Sequence, residues 1–147
     1  MDNATLFTIG FTRKNAQRFF EVLRKMRVKR LIDVRLNNVS QLAGFTKRDD
    51  LAFFLREICE CDYEHRPAFA PTQAILDDYK RGTMNWEEYE RAFKALMRDR
   101  QIESQIVLGD LDHACLLCSE PTAQNCHRRL VAEYLRDRLG HIQILHL

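Results

Sequence analysis

Short apolar runs alternate along the chain with longer stretches whose apolar residues return every three or four positions, and this alternation sets the expected elements. Leu6-Phe7-Thr8-Ile9 is a β-prone run that stops at Gly10. Thr12 then stands as a helix N-cap ahead of Ala16, Phe19, Phe20 and Leu23, which recur at helical spacing. Leu31-Ile32-Asp33-Val34 predicts a second strand. After the polar segment 36–47, Thr46 and Asp49 form a capping-box pattern before Leu51, Phe54, Leu55 and Ile58. A third strand is expected around Tyr63-Glu64-His65, ended by Pro67 and Pro71, whose fixed φ turns the chain out of a sheet.

The second half repeats the rhythm. Ile75, Leu76 and Tyr79 predict a helix over 72–81. Asn85 caps a longer one, with Glu88 placed to bond back and Trp86, Tyr89, Phe93, Leu96 and Met97 forming a stripe read as core. Residues 103–112 show no clear period, whereas Ala114-Cys115-Leu116-Leu117 is apolar on both faces, as a central parallel strand requires. Leu130, Val131, Tyr134 and Leu135 mark a last helix that stops near Gly140, and Ile142-Gln143-Ile144-Leu145 supplies a closing strand. Alternating strands and helices predict one domain over 1–147: a three-layer α/β/α architecture with a mostly parallel five-stranded sheet, Rossmann-like or flavodoxin-like. The expected strand order is 3-2-1-4-5, with winding reversed between the first and fourth strands and ligands bound beyond the carboxyl ends there. Gly10 and Cys118 are then neighbours.

Composition narrows the class of protein. The 147 residues, 46% of them hydrophobic, are enough for one buried core. The start lacks a signal-peptide succession and no apolar run approaches the ~18 residues of a membrane span, so a cytosolic, membrane-free protein is expected. Five cysteines, an odd number in a chain that stands without staples, argue against a disulfide framework and leave thiol or metal chemistry open. The net charge of +2 is unevenly spread: residues 1–35 hold nine Lys/Arg against three Asp/Glu. A solvated helix face is the ordinary explanation of that bias; a nucleic-acid footprint is the other.

Polar groups stand just past each expected strand: Gly10-Phe11-Thr12, then Asp33 and Arg35 to Asn38, then His65-Arg66, then Cys118-Ser119-Glu120. The strongest local signal is the run from Cys118 through Glu120 to Cys126-His127-Arg128, a strand end and loop entering a helix. A helix N-terminus lowers a thiol pKa and holds anions, and Arg128 adds a planar fork suited to phosphate or carboxylate. Cys118 or Cys126 is thus a candidate thiolate, although packing roles for both cysteines and a pairing of Arg128 with Glu120 or Asp33 account for the same residues. The Cys-x7-Cys-His spacing lacks a compact knuckle, and no metal is expected. A Cys-x5-Arg loop is absent, because Gln124 lies six residues after Cys118 and Arg128 ten. No Gly-x-Gly-x-x-Gly follows the first strand.

Thr8-Ile9-Gly10-Phe11-Thr12, Leu31-Ile32-Asp33-Val34-Arg35, Leu117-Cys118-Ser119-Glu120 and the run Cys126-His127-Arg128 through Leu135 together resemble the domain-of-unknown-function 488 family. The resemblance implies an α/β domain with an active site at these motifs and no particular activity. Phe11 departs from it, standing where a histidine often does. The leading expectation is a small enzyme acting on a phosphorylated or nucleotide-like substrate. Cys118, Glu120, Cys126 and His127 are its candidate catalytic residues, and Gly10, Thr12, Asp33, Arg35, Asn37 and Arg128 its candidate substrate-binding residues. No cofactor is assigned. The rival is a non-catalytic nucleic-acid-binding or partner-binding accessory domain using Arg13, Lys14, Arg18, Arg24, Lys25 and Arg27.

Overall fold

A computed structural model describes residues 3–39, 43–120 and 123–147. Strands β1 (Ala4–Gly10), β2 (Arg30–Asp33), β3 (Asp62–His65), β4 (Ala114–Cys118) and β5 (Ile142–His146) form one all-parallel sheet. Helices α1 (Ala16–Lys25), α2 (Arg48–Phe54, continued by a π turn to Cys59), α3 (Gln73–Lys80), α4 (Trp86–Arg100), α5 (Leu108–Leu111) and α6 (His127–Leu139) complete the expected three layers. No helix among the described residues is long and apolar enough to cross a membrane.

The strand order is β3-β2-β4-β1-β5, which corrects the expected 3-2-1-4-5. β4 inserts between β1 and β2, pairing Ala114 through Cys118 with Leu6 through Gly10 on one side and Ala114 through Leu117 with Arg30 through Asp33 on the other. All five β4 residues are buried, so the strand needs neighbours on both edges as well as cover on both faces. Winding still reverses between the first and fourth strands, which remain neighbours with Gly10 opposite Cys118, as expected. β1 crosses to β2 through α1 and β4 crosses to β5 through α6; because the crossovers run in opposite directions, their helices cover opposite faces.

Side-chain alternation along the strands builds two cores. Phe7, Ile9, Leu31, Cys115 and Leu117 pack under α1 and α2 with Phe19, Phe20, Leu23 and Leu55. Leu6, Ile32, Leu116 and Cys118 pack under α4 and α6 with Phe93, Met97, Val131 and Leu135. Asn85 caps α4 through the expected capping box with Glu88, and Gly140 ends α6 with a φ of 70°. Two expected caps move. Asn15, not Thr12, caps α1, accepting from the Arg18 amide at 2.8 Å. Lys47 rather than Thr46 precedes α2, and the Thr46 hydroxyl instead donates to the Ala43 carbonyl. In the polar segment 36–47, residues 40–42 lie outside the described set. Phe45 packs inward on Phe19 and Phe20, the behaviour of a surface connection.

Candidate functional site

Cys118 is the last residue of β4 and Cys126 the N-cap of α6, so a strand end and a helix start bring the two together. They are joined as a disulfide, with Cα atoms 7.6 Å apart, although the odd number of cysteines argued against a disulfide framework. Beneath them lies Arg128, with no exposed surface. Its Nε donates to the Thr8 hydroxyl of β1 at 3.1 Å, and its Nη1 donates to the Glu120 carbonyl at 2.7 Å and to Cys118 Sγ at 3.2 Å. Arg128 thus staples the 118–126 loop to the first strand. Gly10 belongs to the same bracket, because a Cβ there would overlap the Glu120 carbonyl and stand 2.9 Å from Arg128 Nη1. Only glycine lets the loop cross the end of β1 at this distance.

A second bracket closes the end of β2. Asp33 is fully buried and accepts from Arg35 Nε and Nη2 at 2.8 Å each, and from the Tyr63 hydroxyl at 2.6 Å. Arg35 Nη2 also donates to the Thr46 carbonyl at 2.7 Å, and the guanidinium lies over the Phe11 ring. Burial and the neighbouring Asp33 hold the Tyr63 phenol protonated by raising its pKa. Asp33 therefore ties three segments together from beneath the sheet edge. Arg35 is held in the same pair, and its Nη1 is buried without a partner among the described residues.

Above these brackets opens a cavity of about 490 Å³ at the carboxyl ends of β2 and β4. Of the expected site residues, Cys118, Glu120, Cys126, His127, Arg35 and Asn37 line it, whereas Gly10, Thr12, Asp33 and Arg128 do not. Thr12 is exposed, and its backbone amide holds the Ser119 carbonyl at 3.1 Å. Glu120 is exposed at the loop, where Arg128 reaches its carbonyl and not its carboxylate. The opposite wall is aromatic: Trp86 and Tyr89 stack with centroids 5.1 Å apart, and Tyr79 packs on Tyr89 at 4.9 Å. Lys80 adds an exposed ammonium to the lining. Sequence reasoning missed Tyr79, Lys80 and Asn125, and read Trp86 and Tyr89 as core alone. Their position in the first turn of α4 was the available signal, since that end of the helix is free to face a crevice.

His127 Nε2 lies 2.7 Å from the Val34 carbonyl. A carbonyl only accepts, so Nε2 carries the proton and Nδ1 the lone pair in the neutral ring. Burial pushes the His127 pKa down to about 4, against the opposing pull of the Val34 bond and with Arg128 adding to the fall. The two sulfurs and a ring nitrogen of His127 lie within 4.8 Å of one another, a convergence hidden by their spacing in sequence.

With this geometry in view, the family model for "Domain of unknown function DUF488" matches residues 15–135. The chain belongs to this family. No curated protein and no solved structure matches it. The matched span of the DUF488 domain includes the Asp33–Arg35 bracket and the whole Cys118–Arg128 loop, but not Thr8–Thr12 at the end of the first strand and just past it. Its remaining cysteines sit apart from the cavity. Burial raises the Cys59 thiol, pushes Cys61 up to about 12 and raises Cys115 well above the ordinary range, so all three are protonated, poorly nucleophilic packing residues.

Proposed function

We propose that this DUF488 domain is a small enzyme that takes a nucleotide-like substrate into the cavity above β2 and β4. The supporting observation is that one cavity joins an aromatic wall of Tyr79, Trp86 and Tyr89 to a floor of Cys118, Cys126 and His127. A planar base stacks on an aromatic face in a way that tolerates many ring types, worth about 1–3 kcal/mol per base. The phosphate partner in this reading is Lys80, because Arg35 and Arg128 are committed to Asp33, Thr8 and the loop backbone. Glu120, an exposed carboxylate beside the floor, is the acid/base group.

Trp86 is the single tryptophan of the chain, so intrinsic fluorescence reads the wall directly. Nucleoside monophosphates are expected to quench it saturably and to raise the melting temperature, as a ligand that binds only the native state must. Ribose 5-phosphate and inorganic phosphate, which lack the ring, should leave the fluorescence unchanged, and Trp86→Ala should abolish the thermal shift. A flat response to every nucleotide at millimolar concentration would refute the assignment of the cavity to a nucleotide-like ligand. The accessory nucleic-acid reading has less support: Arg13, Arg18, Arg24, Lys25 and Arg27 are exposed side chains on and beside α1, as on any solvated helix face.

A further inference from the structure

The cavity's floor has the makings of a metal site, an inference that deepens the reading above by naming what the reactive end of that cavity holds. Ligands bonded to one tetrahedral zinc ion at about 2.0–2.3 Å stand roughly 3.5–3.8 Å apart. The sulfurs of Cys118 and Cys126 and a ring nitrogen of His127, all within 4.8 Å of one another, need little movement to share an ion. His127 donates Nε2–H to the Val34 carbonyl at 2.7 Å, which leaves Nδ1 as the basic nitrogen; metal-bound histidines carry such an outer partner, which fixes tautomer and ring orientation.

Arg128 supplies a second supporting feature. Its Nη1 donates to Cys118 Sγ at 3.2 Å and to Cys126 Sγ at 3.6 Å, so one buried guanidinium holds both sulfurs toward a common point at two positions only 1% and 2% exposed. All three residues also line the cavity, so the fourth coordination position faces space that water or a substrate atom enters. Three protein ligands with one open position is the arrangement of catalytic zinc, whereas structural sites close all four. Two sulfurs and an imidazole select zinc over the hard cations magnesium and calcium.

The geometry points to a zinc site formed by Cys118, Cys126 and His127 in the reduced chain, with its fourth position open to the cavity. A dithiol reductant transfers two electrons and two protons to the Cys118–Cys126 bond, giving two thiols and the reductant's own disulfide. Zinc then replaces the two thiol protons, which pass to solvent. The disulfide and the metal-bound form are alternatives, since each uses both sulfurs.

Cobalt(II) titration of the dithiol-reduced, full-length protein tests this. The expected result is a thiolate-to-cobalt charge-transfer band and intense tetrahedral visible bands that saturate at one ion per chain and bleach when zinc displaces cobalt. Cys118→Ser and Cys126→Ser should remove the charge-transfer band, and His127→Gln should weaken binding on the order of 10-fold or more, at least as much as losing an outer-shell partner. Protein kept as the disulfide should give no band, which preserves the test if the serine variants fail to fold. No band in reduced wild type in which the Cys118 and Cys126 thiols are shown free would overturn the assignment. So would an undiminished band in His127→Gln or in the oxidised protein. Nucleotide quenching without a cobalt band defeats the metal site and leaves the cavity reading standing; a cobalt band without nucleotide quenching does the reverse.

Discussion

Arg128→Lys separates the bracing role of this side chain from its charge. Arg128 is fully buried, and its guanidinium spans from the Thr8 hydroxyl on β1 to the Glu120 carbonyl and the Cys118 sulfur in the loop. Lysine keeps the positive charge but carries it on a single nitrogen, which cannot reach β1 and the loop together. At least one charge-assisted hydrogen bond is lost, worth about 1.5–3 kcal/mol, and a buried acceptor left unsatisfied adds about 1–3 kcal/mol. Partial relaxation returns some of this, so a net loss of about 3 kcal/mol is expected. At ~2–4 °C per kcal/mol for a domain near this size, the melting temperature falls by ~6–12 °C. Thermal and urea unfolding of the reduced protein measure it, with Arg136→Lys as the control. Arg136 is an exposed residue of the same helix, paired among the described residues with adjacent Asp137, and its replacement should change stability by under about 1 kcal/mol. An Arg128→Lys protein that melts within about 2 °C of wild type would refute the staple.

Other substitutions probe the two brackets. Gly10→Ala forces a methyl into the Glu120 carbonyl and should destabilise by about 1–3 kcal/mol or more, while Gly44→Ala, which meets nothing within 4 Å, should not; paired urea midpoints decide. Asp33→Asn removes the charge that compensates buried Arg35 and should lower stability by about 3–5 kcal/mol, more than Tyr63→Phe, which deletes one of the hydrogen bonds to Asp33. Equal losses from the two would argue against an uncompensated arginine. At Asp112, the Thr5 amide donates to the carboxylate at 2.9 Å and holds its pKa below the ordinary value. Because the folded pKa is the lower one, the carboxylate's contribution is present in full well above pH ~4 and fades as pH falls through the folded pKa. Asp112→Asn should therefore be less stable than wild type at pH 7, and the gap should narrow as pH falls below the ordinary carboxylate value of about 4; a gap that does not narrow in acid would refute the linkage.

Most of the fold was legible in the hydrophobic pattern because the strands and helices differ in period and are punctuated by Gly10, Pro67, Asn85 and Gly140. Strand order was not, and the reason is local. Leu6–Ile9, with Thr8 its one polar residue, and Ala114–Leu117 are both largely apolar on both faces, so either satisfies the demands of an interior strand, and the sequence contains nothing that ranks them. Pairing settles it: β4 presents backbone to β1 and β2 at once, a choice made by three-dimensional closure rather than by residue type. The moved helix caps have a similar origin. Thr12 and Asn15 are both competent N-caps, and the chain uses Asn15 because Arg13, with a φ of 66°, turns the backbone off the helical path between them.

The candidate site was legible by residue type and misread by direction. Asp33 and Arg35 stand two residues apart on an extended segment, and that spacing puts both on one side of the chain. A carboxylate and a guanidinium so placed satisfy each other first, leaving less for a substrate. Their pairing, with Nε and Nη2 each 2.8 Å from the carboxylate, follows from the period of two that predicted the strand. Arg128 follows from helix geometry in the same way. Side chains lean toward the N-terminus of their helix, so a long one at the second position of α6 reaches back under the preceding loop instead of out along the helix face. The helix start that seemed to offer Arg128 to an anion therefore buries it beneath Cys118 and Cys126, where its charge acts on the two sulfurs. His127, one residue earlier and turned by a hundred degrees or so about the helix axis, is left to face the cavity. Adjacent residues of one motif thus divide the work, one supporting the floor and the other forming part of it.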